Sequence, residues 1–163
     1  GSLRGLIEGL VADKQVPLFV KLPPWPRDTD NRRDILKLAE TAVDAGADGL
    51  VIANTHPIES RRLKVGRGGL SGAPLFEHTE LMIADVQALV QGNAAIIACG
   101  GVSTAEQVWK LMASGASAVQ LYTSFIYEGP GLPSRLNRRL AKLMSVAGIE
   151  TVADITGPPP TVK

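Results

Sequence analysis

The chain has 163 residues, 45% of them hydrophobic and 20% charged, with a formal net charge of +1 at pH 7. This length supports one domain with a sizeable core, and the balanced charge supplies no overall field that would draw in nucleic acid or an acidic membrane. One cysteine, Cys99, excludes a disulfide framework or a zinc site of paired thiolates. No apolar run approaches the ~18 residues of a membrane span, and Gly1-Ser2-Leu3-Arg4 lacks the pattern of a signal peptide.

In chain order, the first predicted strand is VPLFVKL (residues 16–22). The segment NRRDILKLAETAVDAG (31–46) predicts a helix with Ile35, Leu38, Ala39, Ala42 and Val43 on one stripe and Gly46 as its stop. GLVIAN (49–54) is the second strand, and an open loop leads from it to GRGGLSG (66–72). HTELMIADVQALVQG (78–92) predicts a helix buried through Leu81, Met82, Val86, Leu89 and Val90. AAIIACGG (94–101) is the third strand. The helix after it ends at Gly115, with Ser103 and Glu106 spaced as a capping box. SAVQLYT (117–123) is the fourth strand, followed by a helix from about Pro133 to Ala147 that stops at Gly148. The tail TGPPPTVK holds no regular structure, and its last six residues, 158–163, are expected to be flexible.

None of the four apolar runs alternates, a pattern that suits strands buried on both faces of a parallel sheet covered by helices. AVDAGADGLVIANT and LMASGASAVQLYT repeat one plan of helix end, Gly-Ala, strand and polar terminus. Strand–helix alternation allows a small doubly wound sheet or half of a (β/α)8 barrel, since a whole barrel takes about 250 residues. Either fold binds ligands at the C-terminal strand ends. Those ends carry Lys21, Asn54-Thr55, Gly100-Gly101 and Tyr122-Thr123.

Glycine loops and helix-start amides suit a phosphate, so CGGVS and LYTSF read either as one phosphate grip or as plain turns. Lys21 either faces an anion or snorkels at its strand end. Asn54 can read a planar ligand through its amide or cap the following loop. His56 adjoins Asn54-Thr55 and could line a site, while His78 reads as an exposed helix-start residue. Cys99 reads as a buried structural thiol rather than a nucleophile. The basic run SRLNRRLAK, with Arg135, Arg138, Arg139 and Lys142, reads as a solvated helix face.

Taken together, FVKLPP, IANT, GGLSGAPL, IIACGGVST, GASAVQLYTSFIYEGPG and VADITG resemble, in order and over nearly the whole chain, the second half of the quinone-dependent (class 2) dihydroorotate dehydrogenases. The resemblance implies an α/β chain, a partial (β/α)8 TIM barrel comprising about the last four β/α units over residues 1–157. It implies FMN as cofactor and oxidation of dihydroorotate to orotate in pyrimidine synthesis, with a quinone as acceptor. Lys21 matches a lysine at the flavin ring, Thr55 a flavin-side threonine, and Ser71 and Gly72 a loop along the cofactor. Gly100, Gly101, Tyr122 and Thr123 match the phosphate grip, and Asn54 matches an asparagine holding orotate. No metal site is implied.

The family reads Thr-Asn-Thr-Thr where this chain reads Ala53-Asn54-Thr55-His56. Its serine base lies on a fourth-strand loop that precedes the resemblance, so this chain alone is expected to be inactive. It is expected either to dimerise or to join an N-terminal half. The location implied is cytoplasmic, or peripheral at the inner membrane in the full-length enzyme, with no nucleic-acid partner. Two other readings stand beside this one: a phosphate-binding barrel enzyme of other chemistry, and a non-catalytic flavin- or phosphate-binding half-barrel.

Overall fold

The computed structural model describes residues 2–25 and 32–161. The expected helix start at Asn31, the residue Gly1 and the last two residues of the tail lie outside that range. Helix α1 (Leu3–Asp13) begins where the Ser2 hydroxyl accepts the Gly5 amide at 3.2 Å. There follow β1 (Phe19–Lys21), α2 (Arg32–Asp44), β2 (Gly49–Ile52), β3 (His56–Glu59), β4 (Arg67–Leu70) and α3 (Phe76–Val90). The chain continues through β5 (Ala95–Cys99), α4 (Ala105–Ala113), β6 (Ala118–Gln120), α5 (Thr123–Glu128) and α6 (Leu132–Ala147). No helix among the described residues is long and apolar enough to cross a membrane.

Four strands form a parallel sheet in the order β1-β2-β5-β6. That order is also the order along the chain. Right-handed crossovers therefore put every crossover helix on the same face, whereas a doubly wound sheet reverses its order at a switch point. The helix-covered face is sealed: Leu50, Ile52, Ile96 and Ala98 are fully buried. The register sets Phe19, Lys21, Val51, Ile97, Cys99 and Gln120 on the other face. This face is open at its outer strands, where Phe19, Lys21 and Gln120 are exposed, while Val51 of β2 is buried. The doubly wound alternative is thereby removed, and the sheet is open rather than closed into a barrel.

That open face corrects two expectations. Only β2 is buried throughout as expected; β5 alternates between buried and half-buried residues, and β1 and β6 expose residues on the open face. Lys21 sits on an exposed edge strand, not a buried one, because β1 has only β2 as a neighbour.

Other differences have local causes. The expected open loop after β2 is an antiparallel hairpin, β3–β4. Leu81 and Leu89 face solvent on α3, while Thr79 and Ile83 join Met82, Val86 and Val90 inside. The cap of α4 lies one residue later than the spacing suggests. The Thr104 hydroxyl accepts the Gln107 amide, and Gln107 Oε1 accepts the amides of Ser103 and Thr104. Beyond α6, Gly148 makes a left-handed cap, Ile155 is buried, and the Trp109 indole donates to the Gly157 carbonyl at 3.0 Å. Trp109 thus pins the chain immediately before the expected tail.

A candidate ligand pocket at the strand ends

A cleft of about 850 Å³ opens at the C-terminal ends of the parallel strands, within the size range of small-molecule and cofactor sites. Lys21, Asn54, Thr55, Ser71, Gly72, Gly100, Gly101, Tyr122 and Thr123 all line it. The sheet brings them together from five separated stretches of chain. β1 delivers Lys21 and the turn after β2 delivers Asn54 and Thr55. The hairpin's exit supplies Ser71 and Gly72, and the ends of β5 and β6 supply the rest.

The loops are fixed by bonds that the sequence only hints at. The Ala53 amide donates to the Cys99 carbonyl at 2.9 Å and the Asn54 amide to the Leu22 carbonyl at 3.2 Å, which seats Asn54 between neighbouring strand ends. Asn54 Oδ1 accepts the Thr55 amide, leaving its NH2 group to reach a ligand. The Ser124 hydroxyl donates to the Val102 carbonyl at 2.6 Å and ties the two glycine-bearing loop regions to each other.

The glycines have packing reasons of their own. Gly101 has φ +78°, and a Cβ there would run into the backbone nitrogen and Cα of Phe76. A Cβ on Gly100 would lie 2.5 Å from the Thr79 hydroxyl, and one on Gly72, at φ +83°, would lie 3.0 Å from Thr123 Cγ2. Gly69 of β4 leaves room for Thr55. Close approach of these segments to a helix or to another loop demands these residues.

Cys99 is not a buried core thiol. The alternation of β5 turns it to the open face, where it is half-buried, lines the cleft, and receives the Lys21 ammonium at 3.7 Å. Ser103, whose hydroxyl donates to Gln107 Oε1 at 3.2 Å, also lines the cleft, as do Gln120, Tyr127 and Glu128. Gln120 and Tyr122 alternate with Ala118 on one run, and that period of two is the signal that could have added Gln120.

His56 belongs elsewhere. It is buried and packs its ring against His78, with centroids 5.1 Å apart, in a small neighbouring cavity with Trp25 and Met82. The pleat reverses direction between Thr55 and His56, so one residue faces the cleft and the next does not. His78 is half-buried by the same contact rather than exposed. Among the described residues no group of three or more histidine, cysteine or acidic side chains could hold a metal ion.

An open parallel β/α sheet with helices on one face and a large cleft at its strand ends defines a portion of a (β/α)8-type barrel, with the cleft at the end where such barrels bind ligands. The sequence profile of the family described as dihydroorotate dehydrogenase matches residues 3–144, so the chain belongs to the dihydroorotate dehydrogenase family. It is 36% identical over 166 residues to the dihydroorotate dehydrogenase (quinone) of Sphingopyxis alaskensis, covering 96% of this chain and 45% of that protein. The mitochondrial dihydroorotate dehydrogenase (quinone) of Oryza sativa is 36% identical, with 89% of this chain covered and 31% of that protein. The crystal structure of the Eimeria tenella enzyme in complex with ferulenol superposes with a TM-score of 0.72 at 37% identity, over 86% of this chain and 37% of that one. These relatives are oxidoreductases by name. The chain spans about half the length of the curated relatives it matches, and its sheet is a partial TIM barrel.

Proposed function

We propose that this chain is the flavin-holding half of a quinone-dependent dihydroorotate dehydrogenase, corresponding to strands five to eight of the barrel. The observation that carries the reading is the convergence of all nine resemblance-matched residues on one cleft. Bound there, FMN would supply the two-electron acceptor for oxidation of dihydroorotate to orotate, with a quinone taking the electrons on.

The residues present fit that group. Lys21 offers a cation at the cleft floor, beside Cys99. The loop residues Gly100 and Gly101 and the Tyr122-Thr123 pair offer backbone and hydroxyl donors to a phosphate where α4 and α5 begin. Ser71 and Gly72 line the cleft beside Thr123, and Asn54 would hold the substrate ring through its amide NH2 group.

Dehydrogenation also needs a proton acceptor on the substrate's other face. Of the cleft's charged side chains, Lys21 is a donor and Glu128 is paired with Arg135 at 3.0 Å. No residue here is assigned as the base, and the chain by itself is expected to bind flavin without producing orotate.

An FMN titration followed by quenching of flavin fluorescence tests the reading. Saturable binding is expected, weakened about tenfold or more by Lys21→Met, the loss of one charged hydrogen bond. Lack of saturation, or an unchanged titration in Lys21→Met, would remove the flavin assignment. Orotate formed by the purified chain would instead overturn the inactivity alone.

A further inference from the structure

The β3–β4 hairpin carries a charge cluster that the cleft does not use. Arg61, Arg62, Lys64 and Arg67 all lie at or beside its tip and are exposed. Four cations and the single carboxylate of Glu59 give residues 56–70 a net +3 in a chain whose total is +1, so the remainder carries −2. Segregation of this kind creates a local field that the overall balance hides.

The cations of the hairpin differ from those of α6. On α6, Arg135 is held by Glu128 and Arg139 by Glu106, each at 3.0 Å. None of the four hairpin cations holds an ion pair among the described residues. The tip is also shaped rather than loose: the Ser60 amide donates to the Gly66 carbonyl, Leu63 to Ser60, and Gly66 to Leu63, at 2.9–3.1 Å. Gly68 leaves room for the Leu63 side chain to fold back, while Val65, between Lys64 and Arg67, stands 77% exposed.

We propose that this hairpin tip docks on an anionic lipid surface, its cations on the headgroups and Val65 directed into the interface. Apolar residues set among cations suit a bilayer surface. A nucleic acid would gain nothing from Val65, and the hairpin's one aromatic ring, His56, is buried against His78 and so offers no stacking surface to a base. The inference does not depend on the flavin reading.

The test is co-sedimentation of the purified chain with vesicles of phosphatidylcholine alone, and of phosphatidylcholine with phosphatidylglycerol. Retention is expected only on the anionic vesicles and is expected to fall with added salt. Removing two cations in Arg61→Gln/Arg62→Gln should weaken partitioning about 25-fold, at roughly fivefold per charge. Val65→Ser should weaken it at unchanged charge. No retention, equal retention on neutral vesicles, or an unaffected double variant would overturn the proposal. Unchanged retention of Val65→Ser, together with equal affinity for duplex DNA by anisotropy, would overturn it in favour of general polyanion binding. Since both variants lie away from the cleft, their FMN titrations should match that of the parent chain, which keeps the two readings separable.

Discussion

At the scale of single residues, the cleft depends on positions where a side chain cannot fit. Gly101 is buried with φ +78°, and its missing Cβ makes room for the Phe76 backbone at the start of α3. Gly148 has a similar φ, +69°, but open space around it. Alanine at either position incurs the left-handed penalty of about 1–2 kcal/mol, and only at 101 must a helix start move as well. Gly101→Ala should therefore destabilise by at least about 3 kcal/mol in urea unfolding and Gly148→Ala by about 1–2 kcal/mol. Equal losses would show that packing against Phe76 contributes nothing. The place of the Gly-Gly turn at a strand end was legible in the sequence, but its reason was not, because Phe76 is a long way off in the chain. Cys99 and His56 teach the same lesson. A run of Ile96, Ile97 and Ala98 makes residue 99 look buried, and adjacency to Asn54 makes residue 56 look functional. Only the pleat decides which side each one faces.

At the scale of elements, α1 and α5 were not anticipated, but α2, α3, α4, α6 and the parallel strands were readable, with boundaries off by a few residues, since their apolar stripes and terminal glycines are local signals. The hairpin was not. Pro57, Gly68 and Gly69 are poor strand formers, and they are tolerated because Gly68 and Gly69 accommodate Leu63 and Thr55. The cap of α4 shows two overlapping signals. Ser103/Glu106 and Thr104/Gln107 have the same spacing, and the second wins, while Glu106 is held by Arg139 on α6. Thr104→Ala should thus cost about 1 kcal/mol in thermal or chemical unfolding. Ser103→Ala should cost clearly less, and the reverse order would contradict the observed cap.

Two carboxylates hold elements together in a pH-dependent way. The Asp48 carboxyl is held below its ordinary value of 3.8, chiefly by the hydrogen bond from Lys14 and then by the Leu18 amide, each at 2.6 Å. It joins the end of α1 and the approach to β1 to the start of β2. Glu106 is held below 4.5, first by its own backbone amide and then by Arg139. Both pKa values are depressed in the fold. Their stabilisation is therefore complete above the ordinary carboxylate range and is lost as the pH falls through the lowered values. Stability measured by denaturant midpoint should be flat near neutrality and decline below about pH 4. Asp48→Asn should flatten part of that decline. A variant with an undiminished acid slope would show that Asp48 is not among the groups responsible.

At the scale of the whole molecule, the helix-covered face is complete and the strand-end cleft is furnished, but the sheet is open on its inner side. Among the described residues β1 and β6 each keep one edge unpaired, and Phe19, lying over Gly49, exposes an aromatic ring on the open face. A parallel sheet is ordinarily covered on both faces, and free edges pair with whatever strand is offered. Four strands in chain order make half the count of a closed eight-stranded barrel, so the arrangement that covers the face and pairs both edges is a second set of four. The purified chain is therefore expected to self-associate, or to be captured by a chain carrying the complementary strands. Sedimentation velocity over a range of concentrations should show mass rising with concentration. Phe19→Lys, which places a charge on that face without disturbing the helix-covered core, should shift the population toward monomer while the far-ultraviolet circular dichroism is unchanged. A strictly monomeric chain at every concentration, indifferent to Phe19→Lys, would mean that the open face is stable in water as it stands. The cleft would then have to work with one wall exposed to solvent, and weaker flavin binding than in a closed barrel would follow from the same cause.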